Sequence, residues 1–290
     1  MPDMNLRPPY ATFSNLDLPG TRLHYVKTGS GPPLVIVPAT VSLISQWLPL
    51  AQFMGQCFTS YFFELPGHGG STPYPGKFDS RLVPATVESF VNALGYDTFN
   101  LMGFSFGGLL TLRTLEHIQE RVEKVILLSP VVSRRALKWS WQRQLLFKAS
   151  VRMMENPFLL KGTHRVLNIP QLEIPLVYTL SKFSSVDRRI LESKHAIRLP
   201  LSTLDVFAHT MEEILALEYQ SCHAPFKKPC YFGMSVNDDI LEYELTEQIV
   251  VRLFERVKIQ KFSLPYHQPP EPPTFEWLVK EFGHFLELVN

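Results

Sequence analysis

The tightest constraint in this 290-residue chain is the stretch Gly103-Phe104-Ser105-Phe106-Gly107-Gly108. A short apolar run, Phe99 to Met102, precedes it and reads as a buried strand. The segment after it, Leu109-Leu110-Thr111-Leu112-Arg113-Thr114-Leu115, reads as a helix. A strand that turns straight into a helix leaves no room for side chains two positions either side of the turn residue. Glycine at both positions relieves the crowding and forces the residue between them outward, in strained backbone, with its hydroxyl exposed. A serine held this way is a candidate nucleophile. The helix N-terminus beneath it and the Phe106 amide offer positive partial charge to an oxyanion. Alone, Gly-x-Ser-x-Gly is a common strand–helix turn; Gly108 and the apolar flanks narrow the choice.

The rest of the chain supplies a frame for such a turn. Residues 11–28 alternate around Pro19-Gly20 and predict an antiparallel hairpin, with His24 as a surface strand histidine. Buried strands are expected at Pro32–Val37, Phe58–Phe63 and Val122–Pro130, and helices at Ser42–Met54 and Leu82–Leu94, the latter closed by Gly95. Strand and helix alternate, which requires a mostly parallel central sheet with helices on both faces. From Val131 to about Phe226 the alternation stops and helical stretches dominate, at Leu137–Glu155, Val186–Ile197 and Ser202–Tyr219. Residues 134–165 carry eight basic residues (Arg134, Arg135, Lys138, Arg143, Lys148, Arg152, Lys161, Arg165) against the single acid Glu155. Trp139, Trp141, Phe147, Met153, Met154 and Phe158 are interleaved. A helix that packs its aromatics on the core and solvates its charges is preferred over a lid that meets lipid or an anionic acyl substrate.

These motifs resemble the α/β-hydrolase family, in its serine hydrolase branch with a helical cap. The glycine-flanked Ser105 looks like the family's nucleophile elbow. Glu64-Leu65-Pro66-Gly67-His68-Gly69-Gly70-Ser71 resembles the Asp-x-x-Gly-His-Gly-x-Ser segment, with Glu64 in place of the aspartate. There His68 is structural, pinning the turn by hydrogen bonds. Pro38-Ala39-Thr40 stands where the family usually has His-Gly-x, so the resemblance makes the amides of Thr40 and Phe106 the oxyanion donors. The implied layout is a core from residues 1–130 and 227–290 and a cap from 131–226. After the strand Lys228–Ser235, alignment of Ile240-Leu241 with the family's apolar pair selects Asp238 as the triad acid, with Asp239 as runner-up. One member of this acidic pair is expected to cap the helix beginning near Leu241.

Two late histidines compete for the base. His284 sits in a Gly-His-Phe string, but Phe275, Leu278, Val279, Phe282, Phe285, Leu286 and Val289 form one helical stripe that His284 falls outside. It also lies some twenty residues beyond the last strand, Val257–Leu264. His267 follows that strand by three residues, in a Pro-rich loop that resembles the family's, and is preferred. The order Ser105, Asp238, His267 is the family's order.

The resemblance implies a hydrolase of carboxylic esters, thioesters or lactones that proceeds through an acyl-enzyme and takes a small-molecule acyl substrate. Carbon–carbon bond hydrolysis by the same triad is the sister reaction, and a non-turnover ligand-binding protein the alternative from another class. Serine at the elbow excludes relatives that need a carboxylate there, the haloalkane dehalogenases and epoxide hydrolases. No cofactor or metal is required. A net charge of +1 argues against a nucleic-acid partner. The first nine residues carry no signal-length apolar core, and no run of about 18 apolar residues occurs, so no membrane span is expected. Cys57, Cys222 and Cys230 match no disulfide framework or zinc spacing and read as thiols in a reducing, cytoplasmic setting.

Overall fold

A computed structural model describes residues 7–41, 43–169, 200–269 and 272–290. The expected hairpin pairs β1 (Ala11–Leu18) with β2 (Thr21–Thr28), and Gly20 takes the positive φ that the two-residue turn needs. β3 (Pro33–Val37), α1 (Ile44–Met54), β4 (Thr59–Phe63), α2 (Val83–Ala93), β5 (Phe99–Phe104), α3 (Phe106–Ile118) and β6 (Val122–Leu128) follow in alternation. β7 (Cys230–Ser235), α7 (Tyr243–Leu253), β8 (Val257–Phe262) and α8 (Phe275–Val289) close the chain. The eight strands form one sheet in the order β1-β2-β4-β3-β5-β6-β7-β8. β2 pairs antiparallel with both β1 and β4; every pair from β4 to β8 is parallel.

Consecutive residues of a strand face opposite sides of the sheet, so both faces must be covered. Val35 and Val37 of β3 enter the core beneath α2, α3 and α7, while Leu34 and Ile36 enter the core beneath α1 and α8. Because the six parallel strands run the same way, the loops after β3, β5, β6, β7 and β8 leave from one edge. That edge is where a parallel α/β sheet gathers its chemistry.

Between β6 and β7 the described residues hold α4 (Trp141–Met154), α5 (Pro157–Leu167) and α6 (Leu201–Ile214), with two isolated bridges, Ser133 to Glu218 and Leu137 to Leu241. The helix expected at Val186–Ile197 lies outside the described residues. α6 sits on the turn after β4: Thr203 Oγ1 donates to the Gly67 carbonyl at 3.1 Å, and Glu213 pairs with Arg113 of α3.

The expected packing of α4 and α5 needs correction. Trp139 and Phe147 do pack on the core, but Trp141 (70% exposed), Leu145, Leu146, Met153 and Phe158 (88% exposed) face out. Asn156 separates the two helices and caps α5 through the Phe158 and Leu159 amides, which turns the chain before one apolar stripe can be completed. Several of the cations are paired rather than simply solvated. Arg134 and Arg135 meet Glu218, Arg152 meets Glu212, and Arg143 lies over the Trp139 ring.

Candidate active site

Ser105 joins β5 to α3 with φ 55° and ψ −123°, a conformation rare for a residue with a side chain. Two glycines make it affordable. A Cβ on Gly103 would overlap the Gly107 carbonyl oxygen, and one on Gly107 would overlap that of Val37. Neighbouring backbone holds the strain in place. The Ser105 amide donates to Leu128 at 3.0 Å, and its carbonyl accepts from Gly108 at 3.0 Å and Val131 at 2.9 Å.

Asp238 follows β7 and His267 follows β8, so both arrive at the edge that carries Ser105. His267 Nδ1 lies 2.7 Å from Asp238 Oδ2, and His267 Nε2 lies 2.9 Å from Ser105 Oγ. An ionised Asp238 only accepts. Nδ1 therefore carries the proton, and Nε2 is left to accept from the serine hydroxyl. The other oxygen of Asp238 accepts from the Ile240 and Leu241 amides at 2.9 and 2.8 Å. Burial by itself would raise the Asp238 pKa. The hydrogen bond and charge of His267 and those two amides outweigh it and hold the carboxyl below its ordinary value.

Asp239 has a different task. Its Oδ1 accepts from the His267 backbone amide at 2.6 Å and fastens the loop that carries the imidazole. Neither aspartate caps a helix. α7 starts at Tyr243, beyond the reach of either, so the cap expected from this pair is absent and both carboxylates serve the loops.

The ring of Phe104 stacks on His267, with centroids 5.1 Å apart, and Trp47 leans on Phe104 at 5.3 Å. Neither contact was expected from sequence, although Phe104 immediately precedes the nucleophile. His284 is exposed on α8, 3.5 Å from Glu287, and takes no part in the site. Phe106 begins α3, and Thr40 lies in the loop between β3 and α1. The close approach of Gly107 to the Val37 and Pro38 carbonyls brings the start of that loop to the elbow.

His68 corrects a second expectation. It is fully buried, and neither ring nitrogen has a hydrogen-bond partner among the described residues. Burial pushes its pKa down to about 4, so the ring is neutral and fills space. Only the backbone of His68 holds the turn, its amide donating to the Leu65 carbonyl at 2.8 Å and its carbonyl accepting from the Ser71 amide at 2.9 Å. Alongside it, Ser71 Oγ donates to the Glu64 carbonyl, and the Gly70 amide donates to the Glu64 carboxylate. That carboxylate also meets His24 Nδ1 at 3.0 Å, so His24 is a paired residue rather than a free surface one. Among the described residues no group of three or more His, Cys, Asp or Glu side chains is gathered as metal ligands. No described helix is long and apolar enough to cross a membrane.

The model of the α/β hydrolase fold family matches residues 32–182, more than half of the chain. The chain belongs to the α/β-hydrolase fold family. Among relatives of this hydrolase-fold chain, N-formylmaleamate deformylase from Pseudomonas putida is 30% identical over 151 residues, 50% of this chain and 56% of the relative. A pimeloyl-[acyl-carrier protein] methyl ester esterase from Nitrosospira multiformis is 29% identical over 141 residues, 47% and 53% of the two chains. The chain thus spans about half the length of the curated relatives it matches. In three dimensions it resembles an α/β fold family hydrolase from Bacillus anthracis, with a TM-score of 0.70, 16% identity, and 97% and 99% of the two chains covered. A thermophilic esterase from Thermogutta terrifontis gives 0.66, 17%, 96% and 99%. At these identities the two structures speak for the fold alone.

Proposed function

We propose that this α/β-hydrolase is a serine hydrolase that cleaves carboxylic esters, thioesters or lactones through an acyl-enzyme. The observation that carries the reading is the continuous chain of two hydrogen bonds from Asp238 through His267 to Ser105, at 2.7 and 2.9 Å. In the proposed first step His267 Nε2 takes the Ser105 proton as Oγ attacks the carbonyl carbon. Asp238 holds the tautomer and stabilises the imidazolium. The amides of Phe106 and Thr40 receive the oxyanion. When that intermediate collapses, His267 returns the proton to the leaving group. It then activates water, which releases the acid. No step calls on a metal or cofactor. The helices between β6 and β7 are assigned as the cap that roofs the substrate. The deformylase and esterase names of the relatives agree with acyl transfer to water as the common chemistry.

The test pairs a fluorophosphonate with a p-nitrophenyl ester chain-length series, on the wild type and on Ser105→Ala. Labelling and turnover that both vanish in the variant are the expected result, and the chain-length optimum then sizes the pocket. Labelling that persists in Ser105→Ala would overturn the assignment of the nucleophile.

A further inference from the structure

Two departures from the family pattern lie far apart in sequence and at the two ends of one structural connection. Pro38-Ala39-Thr40 stands in place of His-Gly-x, and Glu64 stands in place of aspartate. The loop that carries Thr40 leaves β3 against Gly107 of the elbow and ends at Ile44, the first residue of α1. A helix start has four amides without intrahelical acceptors, and here the N-cap residue, Leu43, offers no side-chain acceptor. Glu64, just past the end of β4, supplies one: its Oε1 accepts from the Ile44 amide at 2.9 Å.

The Glu64 carboxylate is itself firmly held. It is buried, and its Oε2 accepts from Gly70 at 2.7 Å and meets His24 Nδ1 at 3.0 Å. The Glu64 amide donates to the His24 carbonyl at 2.9 Å, which ties the same residue to β2. Gly69 leaves the space the carboxylate needs, because a Cβ there would overlap it. Gly70 lies against the His24 ring, where a Cβ would stand 2.9 Å from Cγ. One side chain therefore pins the start of α1 to β2, β4 and the turn after β4.

We propose that Glu64 is a positioning residue for oxyanion stabilisation: by capping α1 at Ile44 it anchors the chain just downstream of Pro38-Ala39-Thr40 and so sets where the Thr40 amide points. The inference rests on the proposed roles of Ser105, His267 and Thr40. Aspartate is shorter by one methylene, about 1.5 Å, and cannot reach Ile44, Gly70 and His24 together from the same backbone. The glutamate and the altered loop thus act as a matched pair.

The test compares wild type with Glu64→Asp and Ile44→Pro. The second variant deletes the amide that Glu64 holds and also replaces the buried Ile44 side chain, so Ile44→Ala, which loses the same packing but keeps the amide, is its control. Proline suits the first position of a helix, and Leu43 before it is already extended (φ −99°, ψ 142°), as a residue preceding proline must be. Active sites are titrated with the fluorophosphonate, so that kcat is expressed per functional serine. The binding of an aryl boronic acid, a mimic of the tetrahedral oxyanion, is measured in parallel. Both variants are expected to lose about 10- to 100-fold in kcat per active site, with KM within about twofold and boronate affinity falling in step. A kcat per active site that stays within about twofold of wild type in Ile44→Pro would overturn the inference, as would a loss confined to the fraction of titratable sites. A wild type that takes up no fluorophosphonate would instead sink the serine hydrolase reading, and this inference with it. If Glu64→Asp does not fold, Ile44→Pro read against Ile44→Ala decides the matter: an equal kcat loss in Ile44→Ala would overturn the inference.

Discussion

At the C-terminal edge of the sheet, polar groups meet partners at 2.6–2.9 Å: Asp238 with His267 and two amides, His267 with Ser105, Asp239 with the His267 amide. Across β6, the α4–α5 pair leaves Trp141, Leu146 and Phe158 facing outward. The first region is over-determined. Strain at Ser105 persists because β6, α3 and the elbow glycines each oppose its relaxation. The second rests on few inward contacts, chiefly Val151, Leu160 and Phe147. The difference teaches where a substitution will be felt. At the sheet edge one atom disturbs several bonds, whereas on the outer faces of α4 and α5 a whole side chain can go at little cost.

The widest separation is expected in turnover. Ser105→Ala should lower kcat by about 10^6-fold, and Asp238→Asn by about 10^4-fold because it favours the wrong imidazole tautomer. Single-turnover and steady-state ester hydrolysis measure both. A Ser105→Ala enzyme within tenfold of wild type would erase the contrast between the regions. Stability gives the next largest gap. Leu101→Ala, in the fully buried middle of β5, should cost about 2–5 kcal/mol, whereas Leu146→Ala should stay within about 0.5 kcal/mol. Urea midpoints at constant slope compare the two. An equal loss at Leu146 would mean that the outer face of α4 is covered.

Asp239→Ala sharpens the comparison inside the site itself. It frees the His267 loop without touching the imidazole bond to Asp238, so kcat should fall on the order of tenfold, far less than in Asp238→Asn. A loss as large as that of Asp238→Asn would exchange the roles of the two aspartates. Acid titration tests the buried carboxylate. Asp238 is depressed in the folded state, so its contribution to stability is present above the ordinary carboxyl value of 3.8 and is lost as pH falls through the lower folded value. Wild type should therefore lose stability more steeply than Asp238→Asn below about pH 4, as read by thermal melts across pH. The smallest effect belongs to His284→Ala, on an exposed helical face, which should leave kcat and melting temperature unchanged. A tenfold loss there would return His284 to candidacy as the base.

The elements that sequence reasoning placed correctly are those dictated by local rules. The hairpin follows from alternation and Pro19-Gly20, the elbow from three glycines around Ser105, and the parallel sheet from the alternation of strand and helix. The meeting of Ser105, Asp238 and His267 also follows from topology, because residues that end parallel strands share an edge. The departures come where distance along the chain hides the partner. His24 and Glu64 are forty residues apart, and only the antiparallel pairing of β2 with β4 brings them together. His68 was expected to pin its turn by hydrogen bonds, yet only its backbone does so, with Ser71, Gly70 and Glu64, while the ring makes none among the described residues. One of the pair Asp238-Asp239 was expected to cap a helix, but the last loop lays the His267 amide beside Asp239 instead.

For this protein, then, sequence by itself determined the strained serine between β5 and α3, the covered parallel sheet and the order of the three site residues. Each of these depends on backbone sterics and side-chain period over a few residues. Tertiary structure alone decided which groups satisfy the buried carboxylates and amides, which aromatic ring backs His267, and which side of α4 faces out. Hydrogen bonds and ring contacts fall off within a few ångströms. Their identity is set by how separate elements dock, which no local pattern encodes.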